Sequence, residues 1–357
     1  MIRPPDYVLG IQPYVPGKPL EELERELGIT NSIKLASNEN PVGPSPAAMQ
    51  VLQCSFANIH RYPDGGGYYL KQALAKKLSV GEDELILGNG SNELLDIAVR
   101  TFMKAGDEAV MATPSFVVYA MAVQAVGGRP VQVPLKNFMH DLSAMADAIT
   151  PATKIVFIAN PNNPTGTINR MDEFEQLMER VSDDVLVIVD EAYFEYVSDP
   201  DYANSLKYLR SDKNVLVLRT FSKIYGLAGI RIGYGIGRAE LLTDMNRLRE
   251  PFNTNSIAQK AALAALGDTK HVRHSRDVNK AGKKYLYKEL QALGLPYIPT
   301  HANFIYIPVE DAAALNEGLL KRGVIIRPMG PKAIRITIGL PEENKRCIEA
   351  LKEVLNA

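Results

Sequence analysis

A chain of 357 residues with 46% hydrophobic and 23% charged side chains has the make-up of a globular protein large enough for two domains. Its formal net charge of −1 provides no basic field for nucleic acid, and apolar runs such as Val185–Val189 fall far short of the ~20 residues that a membrane span needs. Cys54 and Cys347 are too far apart in sequence to suggest a disulfide scaffold, and Met1–Gly10 lacks the basic and apolar regions of a signal peptide, so a reducing cytoplasm is expected.

Residues 1–45 are proline-rich, with one short helix signal near Pro19–Leu27, and read as an arm that packs on the rest of the chain. Within the arm and just beyond it runs Asn38-Glu39-Asn40-Pro41-Val42-Gly43-Pro44-Ser45-Pro46, whose prolines push the preceding residues away from helix. A glycine-rich loop, His60-Arg61-Tyr62-Pro63-Asp64-Gly65-Gly66-Gly67, precedes a helical pattern over Tyr69–Leu78. The run Leu85–Leu94 then reads as strand, tight glycine turn and helix start, with Ser91 and Asn92 at the turn. Free N–H groups and the positive end of a helix make such a turn an anion site, and both residues are also good N-caps.

A βα alternation follows, with strand-like runs at Glu108–Ala112, Pro130–Val133, Lys154–Ala159, Val185–Asp190, Val215–Thr220 and Ile230–Gly235. Apolar strands separated by helices, such as Asp172–Val181, predict a mostly parallel sheet covered on both faces. Functional residues should then gather beyond the strands' carboxyl ends. Thr113-Pro114-Ser115-Phe116, Asn160-Pro161-Asn162-Asn163-Pro164-Thr165-Gly166 and Asp190-Glu191-Ala192-Tyr193 all fall there. A carboxylate at a buried strand end is costly without a cation or strong donors, which makes Asp190 a candidate partner for a bound cation. A metal ligand or helix cap is the other use of an Asp-Glu pair, but no second carboxylate or histidine cluster accompanies it.

The densest stretch is Arg219-Thr220-Phe221-Ser222-Lys223-Ile224-Tyr225-Gly226-Leu227-Ala228-Gly229-Ile230-Arg231-Ile232-Gly233-Tyr234-Gly235. A lysine among apolar neighbours has its ammonium form disfavoured, so Lys223 is suited to act as an amine nucleophile or base. Arg231 offers a fork for phosphate or carboxylate, and the glycines allow close backbone approach to a ligand. Gly233-x-Gly235-x-Gly237 has the wrong spacing for a dinucleotide loop.

Residues 241–266 read as helical with a break at Pro251, and residues 270–357 as a smaller α+β unit. Its helices are expected near Val272–Leu293, Asp311–Lys321 and Glu342–Leu355, and its strands at Phe304–Ile307, Val324–Ile326 and Ile334–Ile338. His271 and His274 lie in charged surroundings and read as a solvated helix face, with no metal expected. Arg327 and Arg335 sit among β-branched residues, where a guanidinium is expensive unless it faces a cleft or an acidic partner.

Taken together, Ser222-Lys223 with its glycines and Arg231, Asn38–Pro46, Tyr62-Pro63-Asp64-Gly65, Asn162–Gly166 and Arg335-Ile336-Thr337-Ile338-Gly339 closely resemble the fold-type I aminotransferases, and within them the histidinol-phosphate aminotransferase family. The resemblance runs from about Tyr14 to Gly339. It implies an α/β fold: a large domain around a mostly parallel mixed sheet (residues 46–245), a connecting helix (246–269), and a small α+β domain (270–357) joined by the arm (1–45). It also implies a homodimer, and pyridoxal 5′-phosphate held as a Schiff base by Lys223.

In that resemblance Asp190 holds the pyridinium nitrogen, Asn163 and Tyr193 contact the phenolate oxygen, and Phe116 covers the ring. Ser91, Asn92, Ser222, Arg231 and the partner chain's Tyr62 anchor the phosphate, while Tyr14, Asn40, Arg327 and Arg335 bind substrate. The implied reaction is L-histidinol phosphate plus 2-oxoglutarate giving imidazole-acetol phosphate plus L-glutamate, in histidine biosynthesis. Three other readings share these motifs: an aromatic amino-acid aminotransferase, a phospho-amino-acid decarboxylase of cobalamin synthesis, and a non-enzymatic regulator on the same fold. Regulators of this kind usually carry a DNA-binding domain before the motifs, for which there is no room before Tyr14.

Overall fold

The computed structural model describes residues 2–356; Met1 and Ala357, the outermost residues of the arm and of the C-terminal unit, lie outside it. Twelve strands are described: β1 (Ile33–Lys34), β2 (Leu85–Gly88), β3 (Glu108–Thr113), β4 (Arg129–Pro134), β5 (Thr153–Ala159), β6 (Leu186–Asp190), β7 (Asn214–Thr220), β8 (Gly233–Ile236), β9 (Phe304–Pro308), β10 (Val324–Ile325), β11 (Arg327–Pro328) and β12 (Ala333–Thr337). Seven of them form one mixed sheet in the order β2-β8-β7-β6-β5-β3-β4. Pairings among β7, β6, β5, β3 and β4 are parallel, and β8 runs antiparallel to both β2 and β7.

The period of two along these strands sends alternate side chains to opposite faces. Val156, Ile158, Val187, Val189, Val215 and Val217 join one buried cluster, while Ile155, Phe157, Leu186, Ile188, Leu216 and Leu218 join another on the opposite face. Each fully buried aliphatic side chain contributes about 1.5–3 kcal/mol. Covering both faces leaves the strands' ends as the place where polar groups can gather.

The last ninety residues build β9, β11 and β12 into an antiparallel sheet packed on the helices Thr269–Ala292, Ala312–Leu320 and Pro341–Leu355. The arm adds β1 alongside β10 in parallel, and Leu35 joins the same buried cluster as Leu286, Ile307 and Ile348. The helical stretch expected over 241–266 is two helices, Ala239–Asn246 and Ser256–Gly267, separated around Pro251. No helix among the described residues is long and apolar enough to cross a membrane.

Two local expectations are corrected. His271, expected on a solvated face, is buried on the inner side of the helix Thr269–Ala292. The strand read as Ile230–Gly235 starts only at Gly233, because Ala228–Ile230 forms a 3₁₀ turn and Arg231 takes a left-handed backbone with φ +58°. That turn redirects the arginine side chain out of the strand and back toward Ser222.

Candidate active site

The carboxyl ends of β5, β6 and β7 face the small unit across a cavity of about 280 Å³. From β7 the chain leaves through Thr220, whose hydroxyl accepts the Ser222 N–H at 3.0 Å, and this tight turn delivers Lys223 to the cavity. Lys223 Nζ is 3.4 Å from the Ser37 carbonyl oxygen and 5.6 Å from the Tyr193 ring centre. Loss of water, then the nearby cations Arg335 and Arg231, bring its pKa down to about 8, although Glu39 and Asp190 pull the other way. Near neutrality a useful fraction of this amine is therefore unprotonated.

Asp190 ends β6. One carboxylate oxygen accepts the Tyr119 hydroxyl at 2.8 Å and the other the Ala192 N–H at 3.1 Å. Burial nevertheless raises its pKa, since these donors and Lys223 do not fully replace water. Tyr119 is itself fixed, stacked on Phe157 with ring centres 4.8 Å apart and met edge-on by Phe116. A carboxylate held this way still has a use for a cation in the cavity.

Opposite stands an anion cradle. The helix Ser91–Phe102 begins at Gly90 with φ +83° and no side-chain cap, and a Cβ at Gly90 would meet an Arg231 guanidinium nitrogen at 2.3 Å. Arg231 donates to Ser222 Oγ at 3.3 Å and to the Ala228 carbonyl at 3.1 Å. A cation against the positive end of a helix is unfavourable unless an anion lies between them. Ser91, Asn92, Ser222 and Arg231 all line the cavity.

The small unit closes the far side with Arg335, buried on β12. Its guanidinium donates to Asn163 Oδ1 and, at 2.7 Å, to the Ala36 carbonyl, while Nε has no partner. Arg327 is its register partner on β11, so two like charges face the same side of the sheet. Arg327 donates to the Val15 carbonyl at 2.6 Å and lies 5.4 Å from the ring centre of Tyr14, which also lines the cavity. Arg335 lines the cavity with Arg327 beside it, so the pair places positive charge at this end of the site.

Three expected site residues do not line the cavity: Asn40, Tyr62 and Arg327, the last standing behind Tyr14 and Arg335. Asn40 does not line the cavity: its amide donates to the Ile224 carbonyl at 2.8 Å and to Ser275 Oγ at 3.0 Å and accepts the Val42 N–H at 3.1 Å, so it is spent on bracing the loop after Lys223. Tyr62 is 82% exposed, stacked on Phe252, and lies outside the cavity. Asn38 and Tyr119 are among the lining residues that the sequence did not single out as site residues. Asn38, two positions before Asn40, donates to the Tyr193 hydroxyl at 2.8 Å. Tyr119 lies three positions beyond Phe116, in the first turn of the helix Val118–Ala125, and that short spacing from an expected site residue is the one signal in the sequence for it.

A family model described as "Aminotransferase class I and II" matches residues 30–351. A histidinol-phosphate aminotransferase of Moorella thermoacetica is 52% identical over 98% of this chain and 92% of its own length. Histidinol-phosphate aminotransferase 2 of Hydrogenovibrio crunogenus is 46% identical over 98% of this chain and 96% of its own length. Among solved structures, histidinol-phosphate aminotransferase from Sinorhizobium meliloti, in complex with pyridoxal-5′-phosphate, superposes with a TM-score of 0.91 at 28% identity, covering 98% of this chain and 96% of that one.

Proposed function

The chain belongs to the class I and II aminotransferases, and from that premise we propose that it is a pyridoxal-phosphate enzyme that moves the amino group of L-histidinol phosphate to 2-oxoglutarate, yielding imidazole-acetol phosphate and L-glutamate. The observation that carries this reading is Lys223, an amine of depressed pKa set between a carboxylate and an anion cradle. The residues present fit the cofactor. The uncapped helix start with Arg231, Ser222, Ser91 and Asn92 suits its phosphate, Asp190 its ring nitrogen, and Tyr193 and Asn163 its phenolate oxygen. When bound, pyridoxal phosphate supplies an electron sink for charge developing at the amino-bearing carbon of the substrate.

The chain's own residues supply the rest. Lys223 Nζ, with its pKa of about 8, can accept a proton from that carbon and return it, as a general base and acid near ambient pH requires. Asp190 keeps a negative charge at the buried end of the site, oriented by Tyr119. Phe116 and Tyr119 form an aromatic wall that keeps water from the reacting groups. Arg335, which lines the cavity, and Arg327 beside it on β11 supply the positive charge for the donor's anionic end.

Histidinol phosphate has no α-carboxylate, so its phosphate must use the same arginines that take the carboxylate of glutamate. In this reading Arg335 serves both half-reactions, while Arg327 and Tyr14 favour the dianion. A charge-assisted hydrogen bond contributes roughly 1.5–3 kcal/mol, or about ten- to a hundred-fold in kcat/KM. Steady-state assays with an amino-donor panel should show histidinol phosphate preferred over phenylalanine. Arg327→Ala should lower kcat/KM for histidinol phosphate by at least ten-fold and spare the glutamate half-reaction more, with Tyr14→Phe a smaller loss in the same direction. Phenylalanine turnover without histidinol phosphate turnover would favour the aromatic aminotransferase reading, and release of carbon dioxide the decarboxylase.

We assign Tyr62 to the site of a second copy in a homodimer. The tyrosine is exposed among other exposed apolar side chains, Phe56, Ile59, Tyr68, Tyr69 and Phe252, a surface that suits burial against another chain. Mixing Lys223→Ala chains with Tyr62→Phe chains tests this. A heterodimer would carry one doubly altered site and one intact site, so activity should rise above that of either parent. No rise, with heterodimers present, would count against donation between subunits.

A further inference from the structure

Asn38 is 1% exposed, has a left-handed backbone with φ +56°, and lines the cavity. Its polar atoms have partners in three parts of the chain. The backbone N–H donates to Thr337 Oγ1 at 2.9 Å, and the Thr337 hydroxyl is 3.2 Å from Oδ1. The backbone carbonyl accepts from Asn303 Nδ2 at 3.0 Å, and Nδ2 donates to the Tyr193 hydroxyl at 2.8 Å. Because Thr337 already accepts the Asn38 N–H, its own proton is directed to Oδ1, which turns the NH₂ group toward Tyr193. The tyrosine oxygen thus receives a hydrogen bond, and its own proton is left to donate into the cavity.

We propose that Asn38 is a positioning residue that fixes Tyr193 as a hydrogen-bond donor toward the cofactor's phenolate oxygen. The proposal rests on the cofactor reading above. The charged and titratable groups around Tyr193 are Asp190 from β6, Lys223 after β7, Arg335 from β12, and the hydroxyls of Tyr119 and Tyr196. None of these is a fixed donor to the Tyr193 oxygen in this arrangement, so its direction depends on the amide. Thr337 lies two residues from Arg335 on β12, so the strand that binds the substrate anion also holds Asn38 in place. The position therefore links the small unit to a residue of the large one that contacts the cofactor.

The test is a pH titration of the visible absorbance of the holoenzyme, which reads the ionisation of the Lys223-bound cofactor. A donor on the phenolate oxygen stabilises its negative charge and lowers the pKa of the neighbouring nitrogen. Tyr193→Phe should therefore raise the titration midpoint, by about one pH unit for a hydrogen bond of the charge-assisted class. Asn38→Asp offers Tyr193 a carboxylate to donate to instead, and should raise the midpoint by a similar amount. Asn38→Gly, which introduces no buried charge and suits the left-handed backbone, should raise it less.

In a Tyr193→Phe background Asn38→Gly, which adds no charge, should not shift the midpoint further, a result that a general structural role would not produce. If Tyr193→Phe shifts the midpoint while both Asn38 variants titrate like the parent, the proposal fails and the cofactor reading stands. A Tyr193→Phe midpoint equal to the parent's would overturn both the proposal and the placement of Tyr193 at the cofactor. Should the purified protein carry no visible cofactor band after incubation with pyridoxal phosphate, the cofactor reading itself fails.

Discussion

Lys223→Ala is expected to lower transamination by at least about 10²–10⁴-fold, the range for losing a positioned general acid–base alone. Loss of covalent capture of the cofactor adds to this. Borohydride reduction of the parent holoenzyme followed by peptide mapping should place the label on Lys223; a label on another lysine would sink the assignment. A second signature is thermodynamic. The folded-state pKa of about 8 lies below the ordinary value of 10.5, so between these pH values the unfolded chain binds a proton that the folded chain does not. Stability of the cofactor-free protein should therefore rise with pH across that window, by about 3 kcal/mol at most for this group. Lys223→Met should remove that rise, as judged by denaturant melts of the two proteins at matched pH values.

Asp190→Asn should cost nearly as much activity while affecting the empty protein in the opposite sense. If the carboxylate pairs with a cation on the cofactor, removing its charge breaks a buried pair worth roughly 3–5 kcal/mol, or about 10²–10⁴-fold in kcat/KM. In the cofactor-free protein the same carboxylate is a burden: burial raises its pKa, so at neutral pH holding it ionised costs stability. Asparagine removes that cost, so the cofactor-free variant should melt at or above the parent's temperature. A variant that is both inactive and markedly less stable without cofactor would identify Asp190 as a structural residue.

The Glu191–Arg219 pair braces the segment beneath these groups. Arg219 on β7 donates to Glu191 Oε2 at 2.8 Å, and its guanidinium lies 3.7 Å from the Phe194 ring centre. The pair ties the segment carrying Asp190 and Tyr193 to the strand that leads to Lys223. Buried pairs of this kind are strongly destabilising to break singly. Rigid elements of this sort hold catalytic groups in place better than loops alone.

By itself the sequence determined the family and the mostly parallel sheet, and it pointed to Lys223 as the candidate cofactor lysine. Those features are local: apolar runs of strand length, glycine and proline turns, and a Ser-Lys pair whose chemistry follows from its immediate neighbours. Tertiary structure decided what depended on chain segments far apart in sequence. Asn38 and Asn40 have the same side chain two positions apart. One reaches Tyr193, 155 residues away, and the other Ile224 and Ser275, 184 and 235 residues away, because the loop's left-handed turn at Asn38 sends the two amides in different directions. Gly166 reads as a turn glycine, yet a Cβ there would meet Thr300 Oγ1 at 1.9 Å, so its role is to let the loop bearing Asn163 pack on the small unit. The facing of Arg327 and Arg335 likewise depends on the register of β11 on β12. Hydrogen-bond partners and close packing are set by how segments fold against one another, and no local pattern encodes which of two neighbouring amides will meet which strand.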